Sequence, residues 1–170
     1  MLTFSNALSI MRAPLALLFL FENIFVRLAA ILLAMFTDVM DGYFARRNRS
    51  TSQFGAFLDP AMDKFFVYFV LSILYVETHI VLWQIFAIVS RDIALVIFGI
   101  YLLLSKKYKK YKLQGIRFGK MTTALQFILI IGLSLGYIFS WYVYTIFIIL
   151  GVLSFIELTQ TIPKKNSLLS

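Results

Sequence analysis

The chain contains no cysteine and a single histidine, His79. Disulfides, thiolate metal sites and cysteine nucleophiles are therefore excluded, and one imidazole cannot build a histidine metal cluster. Charge is also scarce. Charged residues make up 14% of the 170, and only 8 are Asp or Glu. Apolar residues fill the chain instead, at 61%, with a mean hydropathy of +0.89. A soluble domain of this length has too little interior to hide so much apolar surface. Composition thus predicts an all-α integral membrane protein, organised as one membrane domain over residues 1–170. The apolar N-terminal stretch carries Arg12 and Pro14 and shows no small-residue cleavage site before Glu22, so it reads as a first membrane helix rather than a removable signal.

Six apolar segments can be drawn, at about 5–21, 25–46, 55–76, 80–104, 121–138 and 141–158. Each approaches the roughly 20 residues needed to cross a bilayer core, and backbone in lipid is satisfied as helix, so six transmembrane helices are expected. Arg46, Arg47 and Arg49 follow the second segment, and Lys106, Lys107, Lys109, Lys110, Lys112, Arg117 and Lys120 follow the fourth. Lys164 and Lys165 follow the sixth, whereas the connections at 22–23, 77–79 and 139–140 hold no Lys or Arg. This alternation predicts that both termini and both basic loops are cytoplasmic. The net charge of +8 is accounted for by topology, so no nucleic-acid partner is expected. The run "KKYKKYK" fits a loop facing lipid headgroups.

The acidic residues are unevenly placed. Four fall between 38 and 63: Asp38, Asp41, Asp59 and Asp63. Spacings of three and four put each pair on one helix face. A short connection between the second and third segments makes those helices antiparallel neighbours, so the four carboxylates can converge at one membrane face. Unpaired, they would repel one another and be expensive to desolvate. Divalent cations relieve both costs, and oxygen-only ligands select Mg2+ or Mn2+, with enough carboxylates for a two-metal site. Taken singly, the residues have plainer readings: Asp59 before Pro60 as a helix N-cap, Asp38 as a partner of Arg46 or part of a transport path. Gly42 and Ala45 leave the face beside Asp38 nearly free of side-chain bulk, so a flat ligand group could lie against the backbone there.

The run "DVMDGYFARRNRSTSQFGAFLDPAMDK" resembles the signature of the CDP-alcohol phosphatidyltransferase family: Asp-x-x-Asp-Gly-x-x-Ala-Arg, eight residues, then Gly-x-x-x-Asp-x-x-x-Asp. Every fixed position is met, by Asp38, Asp41, Gly42, Ala45, Arg46, Gly55, Asp59 and Asp63. "NALSIMR", "SRD" and "GKMTTALQ" resemble further segments of the branch that includes phosphatidylglycerophosphate and cardiolipin synthases, with Ser9 where Thr is usual. The resemblance implies a six-helix membrane fold, CDP-diacylglycerol as donor, a glycerol-type acceptor, release of CMP and, often, homodimers. It implies a multi-pass protein of a bacterial inner membrane with its polar active site at the cytoplasmic face. By position it makes Asp38, Asp41, Asp59 and Asp63 the metal ligands, with Asp63 also the general base on the acceptor hydroxyl. Gly42 and Ala45 would admit the cytidine, Arg46 would hold donor phosphate, and Gly55 would permit close helix approach. Separately from the resemblance, Arg91, Arg117 and Lys120 lie at the expected cytoplasmic depth, where they could form an anion pocket for an acceptor phosphate, while Asp92 is expected to pair within the bundle.

Glycerol 3-phosphate is the acceptor expected, and phosphatidylglycerol is the alternative. Asp92 stands where Glu is usual in the glycerol 3-phosphate enzymes, and Thr122 where they carry a second Lys; both departures resemble the cardiolipin synthases. A small ion transporter is a weaker alternative, because its path would need polar groups through the bilayer. A polyprenyl transferase would need a second aspartate-rich motif, which the later segments do not contain.

Overall fold

In the computed structural model, described for residues 4–48, 53–104 and 117–160, the chain is helical, with no strand among the described residues. The side chains of 4–6, 39, 41–48, 53–60, 102–103 and 117–120 lie outside this description. The order is α1 (Phe4–Ile10), α2 (Arg12–Leu17) running into a 3-10 turn (Leu18–Leu20), α3 (Ile24–Asn48), α4 (Gln53–Val76), α5 (Leu82–Ile88), α6 (Ser90–Leu104), α7 (Arg117–Ser134) and α8 (Trp141–Gln160).

All six expected segments are helical, but two of them are broken. The first breaks at Met11. Pro14 has no N–H to donate to the carbonyl of Ile10, where α1 ends. The fourth breaks at Val89, and α5 and residues 90–101 meet at 60°. There the amide of Gln126 donates to the carbonyl of Ile88 (2.9 Å), so the interrupted ladder is satisfied by a side chain. By length and composition one described helix, α8, is long and apolar enough to cross a membrane, and a second if the bent pair counts as one span. Helices α3 and α4, at 25 and 24 residues, have the length. Their share of apolar residues is diluted by the aspartates, arginines and Lys64 that they carry.

The helix ends show local causes. The Asn23 side chain caps α3 by accepting from Phe25 N–H (2.9 Å). Helix α7 ends with Gly136 at φ +81, Gly136 N–H on Leu133 C=O and Tyr137 N–H on Gly132 C=O, the paired bonds of a Schellman motif. Helix α4 ends in the same way, but with Thr78 at φ +61 in place of glycine, a strained choice for a β-branched residue.

Two compact units are present: Met1–Ile80 with Phe127–Ile138, and Val81–Gln126 with Phe139–Ser170. In the first, α1 and α2 pack on α3 and α4, and Phe19, Phe66 and Phe127 form a run of rings at 6.4 and 6.2 Å. Helix α3 buries Ala30, Ile31 and Ala34 and exposes Leu32, Leu33 and Phe36. The side carrying two alanines is thus the one that packs, as membrane helices do when backbones approach closely. An ion pair joins the beginning of α3 to the residue after α4. Buried Arg27 donates from both terminal nitrogens to Glu77, one bond being 2.7 Å, and from Nε to Phe21 C=O (2.9 Å). Arg27 holds the Glu77 carboxyl below its ordinary value of 4.5.

In the second unit α8 packs on α5 and α6. Ser90 Oγ donates to Phe147 C=O (2.9 Å), and a Cβ on Gly151 would lie 2.7 Å from Ser90 Oγ and 3.1 Å from Arg91 N. Gly151→Ala is therefore expected to cost about 1–3 kcal/mol, read as a lower Tm in detergent; a variant melting with the wild type would refute this contact. The Glu77 pair predicts a pH dependence. A carboxyl whose folded value is depressed contributes stability that is present above its unfolded value and lost as pH falls through the folded one. The Tm advantage of wild type over Glu77→Gln should hold at neutral pH, begin to shrink near 4.5 and vanish in stronger acid; an advantage independent of pH would show that the charge contributes nothing.

Candidate active site at the aspartate helices

Three polar residues begin or end apolar stripes, and those stripes bring them together. On the stretch from α2 into the 3-10 turn, Arg12 is followed by buried Leu15, Ala16 and Phe19, at steps of three, four and seven. On α4, Asp63 is followed at the same steps by buried Phe66, Val67 and Val70. On α3, Asp38 lies seven and four residues beyond buried Ile31 and Ala34. Residues at these spacings share a helix face. Packing the three stripes into one core therefore sets Arg12, Asp38 and Asp63 at a common end of the unit.

The result is a bridge. Arg12 Nη2 donates to Asp38 Oδ1 at 3.2 Å, and Nη1 forms an ion pair with Asp63 Oδ1 at 2.6 Å. The arginine is 1% exposed, against 47% for the Asp38 side chain and 27% for that of Asp63. Asp38 thus pairs with Arg12, on another helix. Asp41, Gly42, Ala45 and Arg46 lie along α3, and Gly55 and Asp59 along α4, but their side chains fall outside the described residues. Among the described residues no group of three or more His, Cys, Asp or Glu could hold a metal ion. The chemistry of the two visible donors fits a hard divalent cation, since both offer only carboxylate oxygen and they meet at one guanidinium.

The acceptor-side residues lie in the second unit. Arg91 Nη1 donates to Asp92 Oδ1 at 3.0 Å, and Asp92 is buried. The Nε of Arg91 is buried without a hydrogen-bond partner among the described residues. Arg117 and Lys120 stand in the first turn of α7, with side chains outside the described residues. Thr122 is fully buried on the same helix.

Residues 1–156 match the family model for CDP-alcohol phosphatidyltransferase. The chain belongs to the CDP-alcohol phosphatidyltransferase family. Members of this family are membrane-embedded and generally depend on a divalent metal. The chain is 31% identical over 159 residues to the CDP-diacylglycerol–glycerol-3-phosphate 3-phosphatidyltransferase of Aquifex aeolicus, covering 90% of this chain and 86% of that one. It is 30% identical over 113 residues to the protein of the same name from Haemophilus influenzae, covering 66% and 61% of the two chains. A third, from Bacillus subtilis, is 40% identical over 63 residues, 37% of this chain and 33% of its own.

Two residues of this phosphatidyltransferase were not assigned roles in the sequence reading. Arg12 entered as a charge in the first apolar stretch and as the end of "NALSIMR", although an arginine that starts a helical stripe inside an apolar run is a signal of buried pairing. Gln126 was the end of "GKMTTALQ". Its partner is a backbone carbonyl freed by a helix break, and no sequence pattern marks that.

Proposed function

We propose that this family member transfers the phosphatidyl group of CDP-diacylglycerol to glycerol 3-phosphate, giving phosphatidylglycerophosphate and CMP. The observation that carries the acceptor is the similarity over 90% of the chain to a phosphatidyltransferase named for glycerol 3-phosphate. We further read the six apolar segments as six transmembrane passes in one membrane domain, with both termini and the basic loops cytoplasmic. The apolar outer faces of α3 and α8 support that reading.

In this scheme Asp38, Asp41, Asp59 and Asp63 hold Mg2+ or Mn2+. When bound, the ions supply neutralisation of the donor pyrophosphate and of the charge that develops on departing CMP. Arg46 binds donor phosphate, Gly42 and Ala45 leave room for the cytidine, and Gly55 lets the helices approach. The acceptor hydroxyl oxygen forms the new bond to the phosphatidyl phosphorus, the bond from that phosphorus to the CMP oxygen breaks, and Asp63 takes the hydroxyl proton. Arg91, Arg117 and Lys120 hold the acceptor phosphate. Two features of Arg91 support its part: Asp92 orients the guanidinium, and its Nε has no partner among the described residues, leaving a donor for an anion.

Asp38→Asn, Asp41→Asn, Asp59→Asn and Asp63→Asn should each abolish metal-dependent CMP release from protein that remains folded. Substantial activity in any three of them overturns the two-metal reading. Lys120→Ala should raise the acceptor KM about ten- to a hundredfold, the equivalent of one charge-assisted contact of roughly 1.5–3 kcal/mol, while the donor KM barely moves. Offering wild-type enzyme both glycerol 3-phosphate and phosphatidylglycerol with labelled CDP-diacylglycerol decides the acceptor; cardiolipin as the sole product would refute this assignment.

A further inference from the structure

A guanidinium loses much hydration when it is buried, and a cation buried at 1% exposure persists only with close partners. Among the described residues Arg12 meets two carboxylates, and they belong to different helices: Asp38 on α3 and Asp63 on α4. The contacts to the arginine at 3.2 and 2.6 Å are made by Oδ1 of each carboxylate. The cation sits inside, and the two anions are the solvent-facing members of the group. Charge balance alone would be served by any cation nearby. A planar fork, by contrast, imposes a fixed separation and direction on whatever its two arms hold. The fork is itself held in place, because α2 packs against both α3 and α4 and the following Phe19 ring meets Phe66 edge-on at 6.4 Å and 86°.

We propose that Arg12 is a positioning residue for phosphatidyl transfer: from the buried side it fixes Asp38 and Asp63 at the separation at which they bind the divalent cation. The proposal rests on the reading of the aspartates as metal ligands. Partners that orient ligands in this way are worth about 10–100-fold in metal affinity or activity. Lysine keeps the charge but is a single point on a flexible stem, so it can serve one carboxylate and not fix both.

The test uses the full chain purified in detergent, with wild type, Arg12→Lys, Arg12→Gln and Asp38→Asn. Mn2+ binding is titrated by electron paramagnetic resonance without substrate, and kcat and donor KM are measured from CMP release at saturating metal. Helix content and Tm are recorded for each variant. Both Arg12 variants should weaken Mn2+ binding by about tenfold or more and lower kcat by about 10–100-fold, with donor KM changed little and no rescue by lysine. An Arg12→Lys protein with wild-type Mn2+ affinity and kcat would show that charge alone matters and would overturn the proposal. So would Arg12→Gln binding Mn2+ more tightly at undiminished kcat, which would make Arg12 a competitor of the metal. A lowered Tm with unchanged affinity and kcat would reduce Arg12 to a structural residue and overturn it equally. Asp38→Asn separates the two readings. If it weakens Mn2+ binding while the Arg12 variants do not, the inference about Arg12 fails alone. If wild type binds no Mn2+, or Asp38→Asn leaves binding unchanged, the metal assignment fails and the inference goes with it.

Discussion

Two helices carry the signature aspartates, and what fixes those helices to each other is a pair of charge contacts at their opposite ends. At one end Arg12, buried on α2, reaches Asp38 on α3 and Asp63 on α4. At the other, Arg27 near the start of α3 meets Glu77 just beyond α4. Between those ends both helices pack against α1, α2 and the 3-10 turn, with Ala30 and Ala34 buried on α3. In a membrane-embedded family the exterior is as apolar as the core, so burial of Leu or Phe does little to choose among helix registers. Ion pairs do choose, because an arginine left without its carboxylate in that environment is costly. Register along α3 and α4 is therefore specified by a few charges, and the placement of the aspartates follows from it.

The second unit relies on a different device. The start of α6 lies against α8 where Gly151 has no side chain, and Ser90 hydrogen-bonds to the Phe147 carbonyl across that contact. The bend at Val89 that allows this approach leaves the Ile88 carbonyl to be satisfied by Gln126. Glycine, serine and glutamine thus act together, and Arg91 and Asp92 follow directly on the bend. The direction in which Arg91 leaves the helix is set by this local geometry and by the neighbouring carboxylate.

Much of this was legible in the sequence. The apolar run expected at 25–46 is α3 over Ile24–Asn48, and that at 55–76 is α4 over Gln53–Val76, because long apolar runs bounded by charge admit few alternatives. The aspartate spacing pointed to one helix face, and the structure brings Asp38 and Asp63 to one guanidinium. What the sequence hid depends on tertiary proximity. The break inside the fourth segment carries no proline or glycine; it depends on α8 and Gln126, which are remote in the chain. Arg12 stood in plain sight, but its partners lie on two other helices. Thr78 in a left-handed conformation is likewise invisible to propensity, since glycine takes the equivalent place at the end of α7.

The order in which the chain is made gives the Arg12 bridge a consequence for biogenesis. Arg12 is synthesised 26 residues before Asp38, and Asp63 comes later still. Until α3 and α4 have emerged, the arginine has neither counter-ion, and the short apolar stretch that carries it is a poor candidate to settle in lipid by itself. On the six-pass reading, stable placement of the first segment waits on α3 and α4, which carry both carboxylates.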